Sequence, residues 1–234
     1  MQGCCDKGDG QVKPVAFWIA SVSGLVIAYL LGSVPTGYLA GRLLKGVDIR
    51  QQGSGSTGAT NVLRTLGPWP AVGVLLIDVL KGAAAIILAR WFYPWLFTAP
   101  FVAAPAALDP QTWAPWAVCL AGLAMLLGHA RSIWLNFTGG KSVAAGLGLL
   151  LALSWPVGLG ALAVFGVVVA AFRMVSLGSI LAALTAITLM CGLRQPLPYR
   201  LLAVAGGLYV IVRHRANIQR LLAGTEPRLG RSSS

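Results

Sequence analysis

Three stretches of this 234-residue chain combine residue types that suit an anion. Residues 53–64, GSGSTGATNVLR, are polar and glycine-rich, with Arg50 before the run and Arg64 closing it. Gly53, Gly55 and Gly58 let the backbone turn with N–H groups inward, so the run could wrap a phosphate as a nest at a helix start. The expected contacts are Gly53, Ser54, Gly55, Thr60, Asn61 and Arg64. The same composition also suits a flexible linker. A second glycine-flanked loop carries Gly139, Gly140, Lys141 and Ser142. It resembles the end of a P-loop but fails that pattern, because position 135 is Leu135 and no soluble α/β unit precedes it. Glycine amides, a lysine and a helix opening at Ser142 still make a phosphate cradle. In the third stretch His214 lies among Arg213, Arg215 and Asn217, and the i, i+3 spacing puts His214 and Asn217 on one helix face.

Other candidates carry plainer readings. His129, at the end of an apolar run, suits a structural hydrogen-bonding role. Asp78 and Lys81 interrupt a long apolar region three residues apart, as an ion pair or as a direct substrate contact. No Ser-His-Asp or Cys-His arrangement, carboxylate pair or His/Cys cluster points to a covalent intermediate, a metal or another cofactor. The four cysteines have no framework spacing.

The elements that must position these residues are apolar helices. A hydrophobic fraction of 57%, charged residues at 10% and runs near the ~20 residues that cross a bilayer predict an all-α integral membrane protein. Residues 1–14 read as a disordered N-terminal segment, 15–213 as one helical transmembrane domain and 214–234 as a basic cytoplasmic tail. The domain divides into about seven spans, with the piece at 143–154 short for a crossing. Pro35 breaks the first span, and a broken helix at membrane depth lines a cavity. Net charge is +12. With the N-terminus outside and the C-terminus cytoplasmic, most basic residues fall on the cytoplasmic face, together with the loops at 46–67 and 128–142. No compact basic domain presents a nucleic-acid surface, so the charge suits anionic lipid or an anionic substrate.

In order, SVPTGY through DIRQQGSGSTGATNVLR, then GH followed by LNFTGGKS, then RHRANIQRLLAGTE resemble the bacterial acyl-phosphate:glycerol-3-phosphate acyltransferases over nearly the whole chain. The resemblance implies a seven-helix enzyme that transfers a fatty acyl group from acyl phosphate to the first hydroxyl of glycerol 3-phosphate, yielding lysophosphatidic acid and phosphate. It implies a site at Ser33, Arg50, Lys141, Ser179, His214 and Asn217. Its implied partners are glycerol 3-phosphate, fatty acyl phosphate, membrane lipids and the enzyme that forms acyl phosphate. Ser56, Arg131-Ser132 and Ser142 stand where the family commonly has Asn, Phe-Pro and Gly, which bears on local loop geometry. The rival from another class is a transporter of a small organic phosphate, which would need basic residues near the midplane. A metal-dependent phosphotransferase would need acidic ligands that six scattered acids do not supply.

Overall fold

The structure is a computed structural model describing residues 9–100 and 102–230. Among these residues the chain forms ten α-helices: α1 (Asp9–Ser33), α2 (Thr36–Lys45), α3 (Ala59–Leu66), α4 (Pro68–Leu96), α5 (Pro110–Ala130), α6 (Val143–Leu153), α7 (Trp155–Phe172), α8 (Val175–Gly192), α9 (Leu197–Arg213) and α10 (Arg215–Leu222). Single 3₁₀ turns at Ile49–Gln51 and Ile133–Leu135 shape the two glycine loops. Helix α1 already runs from Asp9, so the stretch expected to be disordered is helical from there, and residues 1–8 lie outside the described residues. Among the described residues, five helical segments are long and apolar enough to cross a membrane: 14–45, α4, α5, α7 and α8. Helix α6, with 11 residues, rises only about 16 Å, roughly half a bilayer's hydrocarbon thickness.

These helices are apolar nearly all round, and their outer faces leave Ile19, Ile27, Leu80, Ile87, Val167 and Leu208 exposed. Inside, Phe17, Ile86, Met125, Leu149 and Leu202 join α1, α4, α5, α6 and α9 in the main core. A second cluster, including Val157, Ala186, Met190 and Ala203, ties α7, α8 and α9 together. A third, Ile49, Val62, Ala71 and Val74, seats the first glycine loop and α3 on α4. Small residues allow the closest approach: a Cβ at Gly82 would strike the Ala145 carbonyl, and one at Gly148 the Val79 carbonyl, so α4 and α6 pack backbone to backbone.

The break between α1 and α2 falls where the sequence places it. Pro35 restricts Val34 and removes a backbone donor, leaving carbonyls at the end of α1 without helical partners. Side chains from elsewhere cap them: Ser132 Oγ donates to the Ser33 carbonyl at 2.6 Å and Lys81 Nζ to the Val34 carbonyl at 2.9 Å. The same end of the bundle gathers both glycine loops, the α7–α8 connection and the tail. Arg213 Nη2 donates to the Gly140 carbonyl at 3.4 Å, and Leu229 N–H to the Arg173 carbonyl at 2.7 Å.

Candidate active site

The first glycine loop is organised by Asn61, which is almost wholly buried. Its Nδ2, with two N–H donors to share, lies 2.9–3.0 Å from the carbonyls of Ile49, Gln52 and Ser56, and its Oδ1 accepts from Ser54 N–H at 2.9 Å. Gly53 has φ +55°, and a Cβ there would run into Asn61 Oδ1. Glycine is thus required on both conformational and steric grounds. Asn61 therefore spends its bonds on the loop, which leaves Ser54, Ser56, Thr60 and Arg64 as the polar side chains this loop offers the cavity described below. Arg50 is also committed. Its guanidinium donates to both oxygens of Asp48, the shortest contact being 2.7 Å, and lies 5.1 Å from the centre of the Tyr38 ring. Those bonds hold the Asp48 carboxyl down to about 2.

The second loop is fitted against His129. Gly140 N–H donates to the His129 carbonyl at 3.2 Å, and a Cβ at Gly140 would strike the His129 ring. The expectation that Gly139 and Gly140 present their amides to a phosphate is therefore corrected for Gly140, whose N–H is already spent. Ser142 is likewise turned away. It sits at φ +60°, a conformation that favours glycine, and its hydroxyl donates to the Leu126 carbonyl at 3.1 Å. What the loop delivers is Lys141, whose Nζ donates to Asn217 Oδ1. Burial pushes the Lys141 ammonium below its ordinary range; Glu226 opposes this, and Arg220, Arg213 and Arg64 add to it.

The third stretch supplies the remaining polar groups. His214 lies between α9 and α10 with Nδ1 2.7 Å from the Val210 carbonyl. Bonded there, Nδ1 carries the proton and Nε2 is the basic nitrogen. Burial lowers the His214 pKa, against a smaller upward push from the Val210 carbonyl, so the ring is neutral at pH 7. Asn217 Nδ2 donates to Glu226 Oε1 at 2.7 Å, and Arg220 Nε to Glu226 Oε2 at 2.8 Å. Burial alone would raise the Glu226 pKa, but the bonds to it, led by Asn217, leave it below its ordinary value. Ser179, one turn into α8, bonds back to the Val175 carbonyl at 2.8 Å.

These groups line the polar mouth of a cavity of about 440 Å³. From Ser54, Thr60, Arg64, Lys141, His214 and Asn217 it continues between α4, α6, α7, α8 and α9 as an apolar trough, past Leu75, Leu147, Phe165, Ala183, Leu202 and Gly206. Asn61, Ser142 and Ser179 share its wall, whereas Ser33, Arg50, Gly53, Gly55, Gly139 and Gly140 do not. Ser33 instead faces a narrow crevice with Lys81, His129 and Gly139. Beside that crevice lies a cluster the sequence showed only in part. Asp78 Oδ1 accepts from Thr36 Oγ1 at 2.6 Å and meets Lys81 Nζ at 2.8 Å, with His129 Nδ1 3.7 Å away. Glu226 was missed as a site residue. Its signal was its position as the chain's only glutamate, shortly after the basic stretch.

An arrangement with a cationic mouth and an apolar trough suits an amphiphile with an anionic head. The family described as glycerol-3-phosphate acyltransferase matches residues 22–224. The chain belongs to the glycerol-3-phosphate acyltransferase family. Within that family it is 71% identical to glycerol-3-phosphate acyltransferase 2 of Rhizobium johnstonii over 217 residues, 93% of this chain and 99% of the relative. It is 56% identical to the enzyme of Nostoc sp. over 217 residues, covering 92% and 95% of the two chains. Two crystal structures of PlsY (YgiH), an integral membrane glycerol 3-phosphate acyltransferase, share 35% identity with it and cover 90% of it. The glycerol 3-phosphate form gives a TM-score of 0.77 over 96% of that chain, and the lysophosphatidic acid form 0.75 over 95%. This family member is an all-α, multi-pass membrane protein and an acyltransferase.

Proposed function

We propose that the protein transfers a fatty acyl group from acyl phosphate to the 1-hydroxyl of glycerol 3-phosphate, without a covalent acyl-enzyme. The observation that carries this reading is the continuity of the cationic mouth with the apolar trough. The first suits a phosphate and the second an acyl chain, which would put the acyl carbonyl at their junction. The hydroxyl oxygen attacks that carbonyl carbon; an ester C–O bond forms, the bond to the phosphate oxygen breaks, and phosphate leaves with the electron pair. The mixed anhydride already has a good leaving group, so positioning suffices, and well-oriented reactants gain about 7–11 kcal/mol.

Lys141, with Arg64, Ser54 and Thr60, neutralises and orients phosphate. His214 Nε2, neutral at pH 7, takes the hydroxyl proton, and Asn217 holds Lys141 in place. Ser179 borders the trough where the carbonyl would lie. Arg50, locked to Asp48 and Tyr38, shapes the first loop, and Ser33 fixes the elbow beside the second. In this reading residues 15–213 make one membrane domain with about seven traverses, the short α6 among them. The N-terminus lies outside, and the C-terminal tail and the site lie at the cytoplasmic face of the inner membrane, as the basic residues favour. There the site meets soluble glycerol 3-phosphate and acyl phosphate handed over by the enzyme that makes it.

The test is reconstitution of the purified protein in lipid with glycerol 3-phosphate and palmitoyl phosphate, with palmitoyl-CoA and palmitoyl carrier protein as parallel donors. Lysophosphatidic acid and phosphate should appear together with the acyl phosphate. Product with a thioester alone would move the donor assignment, and no product with any donor would remove the reading.

A further inference from the structure

Glu226 reaches the mouth of the cavity from the tail, whose backbone is fastened to the α7–α8 connection by the Leu229–Arg173 hydrogen bond. Its carboxylate is buried, with one oxygen accepting from Asn217 Nδ2 and the other from Arg220 Nε. On the far side of Asn217, Oδ1 accepts from Lys141 Nζ. Arg220, Glu226, Asn217 and Lys141 thus form a row. Guanidinium and ammonium only donate, carboxylate only accepts, and a carboxamide does one at each end. Between an acceptor-only carboxylate and a donor-only ammonium, the Asn217 amide fits in a single orientation.

We propose that Glu226 and Arg220 are positioning residues for the acyl transfer: they lock the Asn217 amide with its carbonyl toward Lys141 and so aim the ammonium at the substrate phosphate. The inference rests on the function proposed above. It makes a directional prediction for Glu226→Gln, which keeps size and shape. Arg220 still demands an acceptor, so the glutamine turns its Oε1 to Arg220 and its Nε2 to Asn217. The Asn217 amide must then flip and present Nδ2 to Lys141, donor against donor. Removing Arg220 as well frees the glutamine to turn back and restores the row. An ion pair that merely holds the tail predicts the opposite, because losing both partners cannot be better than losing one.

The experiment measures kcat and KM for glycerol 3-phosphate in Glu226→Gln, Arg220→Ala and the double variant, with melting curves in detergent for each. Glu226→Gln should lower kcat/KM on the order of 10- to 100-fold, chiefly through KM, as expected for a lost hydrogen bond to a charged group. Arg220→Ala should lower it by a small factor, and the double variant should return to the Arg220→Ala level. A wild-type-like Glu226→Gln, or a double variant as poor as Glu226→Gln, overturns the proposal. If Glu226→Gln does not fold, the comparison is the double variant against Arg220→Ala: parity supports the proposal and a tenfold deficit overturns it. Labelling of Lys141 by an amine reagent at fixed pH supplies a readout independent of turnover. It should be faster in Glu226→Gln and return in the double variant. A wild type with no turnover would sink the proposed function, while this labelling pattern would still report on the row.

Discussion

Removing the Asp78 carboxylate tests whether the buried pair on α4 is structural. The Asp78 and Lys81 side chains are only 1% and 6% exposed, and their contact is 2.8 Å. Asp78→Ala leaves the Lys81 ammonium with the Val34 carbonyl and deprives the Thr36 hydroxyl of its acceptor. Breaking a buried pair from one side costs about 3–5 kcal/mol, because the other charge stays buried, whereas replacing both partners by apolar groups is often neutral. The expected result is a loss of that size for Asp78→Ala and for Lys81→Met, but only about 1–3 kcal/mol for Asp78→Leu with Lys81→Met, the part left by the Thr36 hydroxyl and Val34 carbonyl that lose their partners. Unfolding titrations of the detergent-solubilised protein measure each corner of the cycle. If the double replacement is as costly as the sum of the singles, the pair is not the source of the cost and the reasoning fails. A stable double variant with no turnover would instead give the pair the substrate role that the sequence left open.

The remaining predictions concern the mouth and the trough. Asn61→Ala removes four loop bonds and should raise KM for glycerol 3-phosphate at least about tenfold with a smaller change in kcat, read from initial rates. His214→Ala should lower kcat about 10²- to 10⁴-fold; full turnover with unchanged saturation would refute its role as base. Because burial lowers the His214 pKa in the folded protein, the unfolded chain binds more protons as pH falls below about 6.5, so this contribution to stability is present above that pH and declines below it. Melting curves from pH 7.5 to 5 check the sign. Gly206→Leu should narrow the trough and shift preference toward shorter acyl phosphates, measured as the ratio of kcat/KM between a long and a short donor.

Helices were legible because an apolar run in lipid has few ways to satisfy its backbone. The break at Pro35 was legible because proline removes a donor wherever it sits. Lys141, Arg64 and His214 stand out in the sequence because positive charge near glycine or a helix end suits an anion, and the structure gathers all three at one cavity mouth. What the sequence could not show is where each polar atom spends its bonds. Asn61 and Ser142 read as phosphate ligands, yet the first is taken by four loop atoms and the second by the Leu126 carbonyl. Arg50 reads as a free cation until Asp48, two residues earlier, folds onto it. Glu226 joins Lys141 only through tertiary packing, across 85 residues that no local pattern spans.

The short α6 explains why the site can serve two unlike substrates. On its own a helix of about 16 Å spans half of a ~30 Å hydrocarbon layer, so a traverse at α6 would need its polar N-terminal loop to descend into the bundle rather than rest on its surface. That descent brings Gly140 onto His129 and Lys141 to Asn217, beside the elbow where α1 breaks. Polar backbone is tolerated at such depth only where protein or a cavity satisfies it, and here His129, Ser132 and Lys81 supply the bonds. Under the proposed function a headgroup phosphate would then sit beneath the surface while the acyl chain stays in the apolar trough. The reacting carbonyl would then not need to leave the membrane to meet a water-soluble acceptor.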